Sequence, residues 1–193
     1  MIRPILALLV VSLGLLATGC STSAATRGAY ETADESRRDS ERARALTLEA
    51  VALMQTEPAA AEARLRAALN ADLYHGPAHN NLGVLLLERG DLYGAAQEFQ
   101  WASRLLPGHP DPRLNLALTF EDAGRVGDAI DSCELALEVY DGHIPSSQAL
   151  ARLQLLHQRT DERTDDLLRT VALAGEDDVW RTWAREQLIR RGR

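Results

Sequence analysis

His75, His109 and His143 stand 34 residues apart. Imidazole is the side chain whose charge changes between about pH 5 and 8, and it is the commonest metal ligand. A regular ladder of such rings could therefore hold a metal or sense protons. Geometry argues against the metal. If each ring takes the same place in a repeated helix pair, neighbours are separated by helices packed about 8–10 Å apart, whereas zinc needs every ligand at about 2 Å. His79 follows His75 by four residues, but Gly76-Pro77 interrupts the helix that would align the two. No nucleophile elbow, phosphate-cradling glycine loop, Cys-x-x-Cys pair or His-Glu-x-x-His motif occurs in the chain. The expectation is a protein with no catalytic residues, no metal and no cofactor: not an enzyme.

The spacing is more informative than the imidazoles. The same offset of 34 pairs Leu82-Gly83 with Leu116-Ala117, Gly90 with Gly124, Ala95 with Ala129, Phe99 with Cys133, and Ala102 with Ala136. A fixed period of this length marks stacked helix-turn-helix units. With Pro107 closing the run, the pattern resembles the tetratricopeptide repeat, whose Leu-Gly, mid-repeat Gly, Ala, aromatic, Ala and terminal Pro fall at these places. The resemblance implies an all-α, right-handed superhelix. It divides the region 36–174 into units at 42–75, 76–109, 110–143 and 144–174, followed by a capping helix within 175–193.

The second unit is the clearest. Gly76-Pro77 opens its first helix, Leu82, Leu85 and Leu86 form an apolar stripe, Gly90 ends the helix and Asp91 caps the next. Gly83 and Ala95 are expected to face each other and let the two helices approach closely. In the first unit, a helix from Ser36 to Gln55 is followed by Thr56 as a cap and Pro58 in the next first turn, with Ala61, Leu65 and Ala68 at packing positions. Glu49 takes the small-residue position, as a degenerate terminal unit allows. In the fourth unit Leu150-Ala151 is in place, but the second helix, near 162–173, carries Arg163 where the pattern has Ala. The segment 177–191 is amphipathic, with Trp180, Ala184 and Leu188 on one face, an acidic start and an Arg-rich end.

The amino terminus reads as a processed leader. Arg3 precedes an apolar run from Ile5 to Ala17, 13 residues long, short of the roughly 20 that span a bilayer. Ala17-Thr18-Gly19-Cys20 looks like a bacterial lipobox, which implies removal of 1–19 and acylation of Cys20, by palmitate among other chains. Residues 20–35 are polar and aperiodic and suit a flexible tether. Ser21 after the cysteine resembles the sorting signal for the outer membrane, facing the periplasm. Loss of Arg3 changes the net charge from −7 to −8, which argues against nucleic acid as a partner. The chain has 2 cysteines. With Cys20 in the anchor, Cys133 has no intramolecular partner and serves as a small core hydrophobe.

In the family the first helix of each repeat lines a concave groove. Carried onto this sequence, the second unit supplies Asn80, Asn81, Val84, Leu87 and Glu88. The third supplies Leu114, Asn115, Leu118, Glu121 and Asp122, and the first adds Leu46, Thr47, Ala50 and Met54. This is an apolar floor with amides and a carboxylate rim at Glu88, Glu121 and Asp122. The subfamily that clamps the carboxylate of cytosolic chaperone tails uses Lys, Asn and Arg at defined groove positions. Here only Asn81 matches, with Leu46, Ala50, Asp111 and Asn115 at the others, so that clamp is absent. The resemblance thus implies a membrane-tethered, non-enzymatic adaptor of the bacterial cell envelope, binding a peptide or partner protein. The alternative is a structural scaffold that self-associates into a homo-oligomer through its convex face or its Trp-bearing cap.

Overall fold

Residues 38–192 are described by the computed structural model, and among them the regular structure is entirely helical. The leader at 1–19, Cys20 and the tether at 20–35 lie outside the described residues. The helices run α1 (Ser40–Leu53), α2 (Pro58–Ala71), α3 (Gly76–Glu88), α4 (Leu92–Leu105), α5 (Asp111–Asp122), α6 (Val126–Val139), α7 (Ile144–Leu156), α8 (Thr164–Ala174) and α9 (Asp178–Arg191). No described helix is long and apolar enough to cross a membrane.

Local chemistry sets the helix ends. Pro58, Pro77, Pro112 and Pro145 sit in first turns, where a missing N–H costs nothing. The Asp39, Asp91 and Asp177 carboxylates accept from the N–H groups of Arg42, Gly94 and Trp180 at 2.9, 3.0 and 2.9 Å. Thr56 does not cap α2; Glu57 holds that place without a side-chain bond, and Pro58 starts the helix unaided. The first helix is also shorter than expected, beginning after the Asp39 cap.

The last three of the four turns between paired helices contain a left-handed residue: Gly90 at φ 83°, Gly124 at φ 72° and Gln158 at φ 55°. In each, the next N–H reaches back to a helix carbonyl: Asp91 to Leu86 at 2.9 Å, Arg125 to Phe120 at 2.8 Å and Arg159 to Gln154 at 2.8 Å. The last of these turns thus repeats the geometry with a side chain where the other two have glycine.

Packing follows the small residues. Ala50, Ala117 and Ala151 on first helices, and Ala61, Ala95 and Ala129 on second helices, are fully buried. Across from Gly83 the nearest side chain is Phe99. A Cβ on Gly83 would lie 2.6 Å from Cε1 of Phe99, so the glycine makes room for a ring. One repeat on, the corresponding residues are Ala117 and Cys133, where a smaller side chain leaves space for a methyl. Burial pushes the Cys133 thiol up to about 12, which keeps it protonated and inert.

Two departures from the regular period have simple causes. The turn from α1 to α2 spans 54–57, one residue longer than the turn at 89–91. The first helix is accordingly shifted, so Ala50 and not Glu49 occupies the small-residue position, and Glu49 pairs on the surface with Arg64 at 3.1 Å. The turn from α7 to α8 spans 157–163, four residues longer. Arg163 therefore stays exposed at the start of α8, and Leu167, Leu168 and Val171 pack instead. The long turn is pinned by polar bonds around the buried Gln154 and Thr164. Thr164 Oγ1 donates to Gln154 Oε1 at 2.8 Å, Gln154 Nε2 donates to Asp161 Oδ2 at 2.8 Å, and Thr164 N–H donates to Asp161 Oδ1 at 3.0 Å.

The core falls into an amino-terminal cluster around Leu65, Leu82 and Phe99 and a carboxy-terminal one around Leu150, Leu168 and Val171. α5 joins them, with Leu116 packed against the first and Leu114 against the second. α9 covers the far end through Ala184, Trp180, Trp183 and Leu188, the two indoles meeting edge-on at 5.3 Å. At the other end Asp72 clasps the start of the fold. Its carboxylate accepts from Arg38 at 2.9 Å, Ser40 at 2.9 Å and the Tyr74 N–H at 3.1 Å. Burial pushes this carboxyl up, but those bonds and the charge of Arg38 outweigh it and hold it below the usual range.

Two substitutions test this packing by urea unfolding. Gly83→Ala should cost about 1–3 kcal/mol by overpacking, with much of it regained when Phe99→Leu is added. Gln158→Gly should raise stability by about 0.5–1 kcal/mol, since glycine adopts the left-handed conformation without strain.

Candidate interaction groove

Each second helix packs between the first helix of its own pair and that of the next, while successive first helices also touch: α1 with α3, α3 with α5, and α5 with α7. The first helices therefore form one layer, and their free face is the inner surface of the stack.

At the middle of that face three amides form a chain. Asn115 Nδ2 donates to Asn80 Oδ1 at 3.0 Å, and Asn80 Nδ2 reaches Asn81 Oδ1 at 3.4 Å. With the amides so oriented, Asn81 Nδ2 and Asn115 Oδ1 have no bond to the other described residues. One donor and one acceptor thus stand ready, the pair that a peptide unit offers in return. Val84 and Leu87 are half-buried, packed against the amino-terminal core, and Leu118 is half-buried beside them along the layer. Leu114 is half-buried too, with its packing directed into the carboxy-terminal core.

The carboxylate rim needs one correction. Glu88 and Asp122 are exposed and make no ion pair among the described residues. Glu121 is not free: Arg152, on the adjacent first helix, grips it with two hydrogen bonds of 2.6 and 2.5 Å. That bidentate pair cancels the charge locally and ties α5 to α7.

The first unit needs another. Ala50 is fully buried, Leu46 packs into the core, and Thr47 is buried with its hydroxyl donating to the Ala43 carbonyl at 2.8 Å. Leu48 and Val51 face solvent instead, 62% and 49% exposed. The extra residue in the turn after α1 is the cause, because one residue rotates a helix face by about 100°.

Beyond the expected residues, the face continues over α7 and α9. Arg152, Leu155, Leu156, Trp183 and Gln187 line a cleft of about 330 Å³. The sequence carried a signal for three of these, since an offset of 34 from Leu118, Glu121 and Asp122 lands on 152, 155 and 156. Trp183 had no such signal, because it lies past the repeats.

The histidine ladder separates into unlike sites. His143 lies 3.2 Å from Asp111 and 2.7 Å from the Ser146 hydroxyl. His109 is exposed. Burial draws His75 below its ordinary value, opposed by the charge of Asp72 and reinforced by that of His79. Among the described residues no three His, Cys, Asp or Glu side chains are grouped to hold a metal ion.

These paired helices, stacked at a repeat of 34 residues around an inner layer of first helices, are the tetratricopeptide-repeat fold. The structure is similar to the first tetratricopeptide-repeat domain of Spaghetti (RPAP3) bound to the HSP90 peptide SRMEEVD, at a TM-score of 0.60 and 15% identity, covering 63% of this chain and 98% of that one. It is similar to PilF of Pseudomonas aeruginosa at a TM-score of 0.58 and 23% identity, covering 79% and 77% of the two chains. An O-GlcNAc transferase mutant from Thermobaculum terrenum matches at a TM-score of 0.61 and 25% identity over 68% of this chain, which spans only 26% of that one. No protein-family model and no curated protein matches the sequence.

Proposed function

We propose that this protein is a membrane-tethered adaptor of the bacterial cell envelope, held by an acylated Cys20 at the periplasmic face of the outer membrane, that docks a segment of a partner protein along its inner face. The observation that carries the docking is the polarised amide chain. It leaves Asn81 Nδ2 and Asn115 Oδ1 unmatched between rows of aliphatic side chains, Leu48 and Val51 on one side and Leu118 on the other. A half-buried donor and acceptor without partners favour a ligand that supplies both, and a peptide backbone does. Glu88 and Asp122 add negative charge and make no ion pair among the described residues, which favours a segment whose apolar residues are flanked by Lys or Arg. The solved complex of RPAP3 with an HSP90 peptide is a likeness of fold; the basic residues of a carboxylate clamp are not in this groove, so the favoured ligand differs.

The competing reading, self-association, draws on exposed apolar residues around the cap: Leu173, Val179 and Ile189. One experiment separates the two. A photo-cross-linking residue is placed at position 81 of the full-length protein in cells, and adducts are identified by mass spectrometry. Docking predicts one dominant heterologous adduct, reduced about tenfold by Val51→Glu, as for a residue contributing strongly to binding. Absence of that adduct, with self-adducts from position 179 instead, would replace the adaptor with a self-associating scaffold.

A further inference from the structure

The fold closes over an acid–base pair that the groove does not use. His79, in the first turn of α3, is fully buried, and Glu98 of α4 nearly so. Nδ1 of His79 lies 2.6 Å from Glu98 Oε2, and Nε2 lies 2.8 Å from the carbonyl oxygen of Leu73, in the loop between α2 and α3. A carbonyl oxygen only accepts, so Nε2 carries a hydrogen. A neutral ring then has a bare Nδ1, whose lone pair would point at a carboxylate oxygen where water does not reach. Two acceptors pressed together in a buried site are costly. The separation is instead that of a charge-assisted hydrogen bond, and such a bond contains a proton. Imidazolium beside carboxylate and neutral imidazole beside carboxylic acid both satisfy it. In either form the site holds one proton more than a neutral histidine and an ionised glutamate.

We propose that His79 and Glu98 form a proton-dependent latch that fastens the α2–α3 loop to α3 and α4 and weakens as pH rises. The latch joins the loop after the first helix pair to the second pair. It occurs once in the stack: an offset of 34 leads from His79 to Arg113 and Ser147, and from Glu98 to Ser132. Charged groups stand on the elements packed around it. From the loop, Asp72 is paired with Arg38 at 2.9 Å, and burial draws His75 below its ordinary value against the charge of Asp72. From α4, Arg104 lies over the Trp101 ring at 5.9 Å, and Trp101 stacks on the His79 ring at 5.8 Å. From the start of α5, Arg113 is turned to the His109 carbonyl at 3.3 Å. Within α3 itself, the next charged residue is Glu88, at the far end.

The direction of the effect follows from proton counting. Above the ordinary imidazole range the unfolded chain keeps His79 neutral and Glu98 ionised, while the folded chain holds the extra proton. The folded state therefore binds more protons, and stability falls with rising pH, by about tenfold in the folding constant per pH unit for one proton. Glu98→Gln removes the requirement, because an amide N–H can donate to Nδ1 of a neutral ring.

The test is urea unfolding of the full-length protein and of Glu98→Gln at steps between about pH 7.5 and 9, above the range where free imidazole titrates. The latch predicts that the wild-type folding constant falls about tenfold per pH unit relative to the variant; parallel pH profiles overturn it. Should Glu98→Gln not fold, side-chain NMR of the wild type decides at about pH 8, where free imidazole is neutral. A doubly protonated His79 ring or a protonated Glu98 carboxyl supports the latch, and a neutral ring beside an ionised carboxylate overturns it.

Discussion

The distance between the two helices of each pair governs the rest of this molecule. Helices approach to about 8 Å only where side-chain bulk is removed from the crossing, and each first helix supplies one such place: Ala50, Gly83, Ala117 and Ala151, all buried. The second helices answer with Ala61, Ala95 and Ala129, while Leu65, Phe99 and Cys133 fill the space alongside. The crossing is tuned pair by pair, as the contact of Gly83 with the Phe99 ring shows. Such close packing is felt at the level of a single methyl group. Spacing within a pair then fixes how the next pair stacks, and the accumulated rotation gives the superhelix its inner face.

That face owes its character to elements that do not touch a ligand. α5 packs Leu116 into one core cluster and Leu114 into the other, so the two halves of the stack share a wall. The Glu121–Arg152 pair locks α5 to α7, and the amide chain from Asn115 to Asn81 links α5 to α3. Polar groups that could have served a partner are thus partly consumed in holding the groove's shape. Those left over, at Asn81, Asn115, Glu88 and Asp122, are the groups on which the proposed docking relies. The buried His79–Glu98 pair ties the loop between α2 and α3 to α4.

Much of the architecture was legible because the period is written in residues with narrow tolerances. Glycine at the left-handed turn, alanine at the crossing and proline in the first turn each meet a steric demand that few other residues meet. Where the sequence misled, the turn lengths were the cause. One additional residue after α1 moved Ala50 into the core and turned Leu48 and Val51 outward, and four after α7 left Arg163 in solvent and brought Leu167 inward. A fixed offset carried across either turn places every later or earlier side chain wrongly. The groove was less legible than the fold. The position of Glu121 was predictable, but its pairing with Arg152 depends on how two helices lie side by side, which no spacing within one helix reveals. His79 was hidden for the same reason: its partners come from another helix and a loop.

Hydroxyl-radical footprinting of the full-length protein, in intact cells and after purification, tests most directly whether the inner face is the working surface. The account predicts that Leu48, Met54 and Leu156 are oxidised markedly less in cells than in the purified protein, while Tyr93, Leu135 and Leu173 react equally in both. Protection confined to Leu173, Val179 and Ile189, with Leu48 and Met54 unchanged, would contradict it and move the working surface to the capped end of the stack.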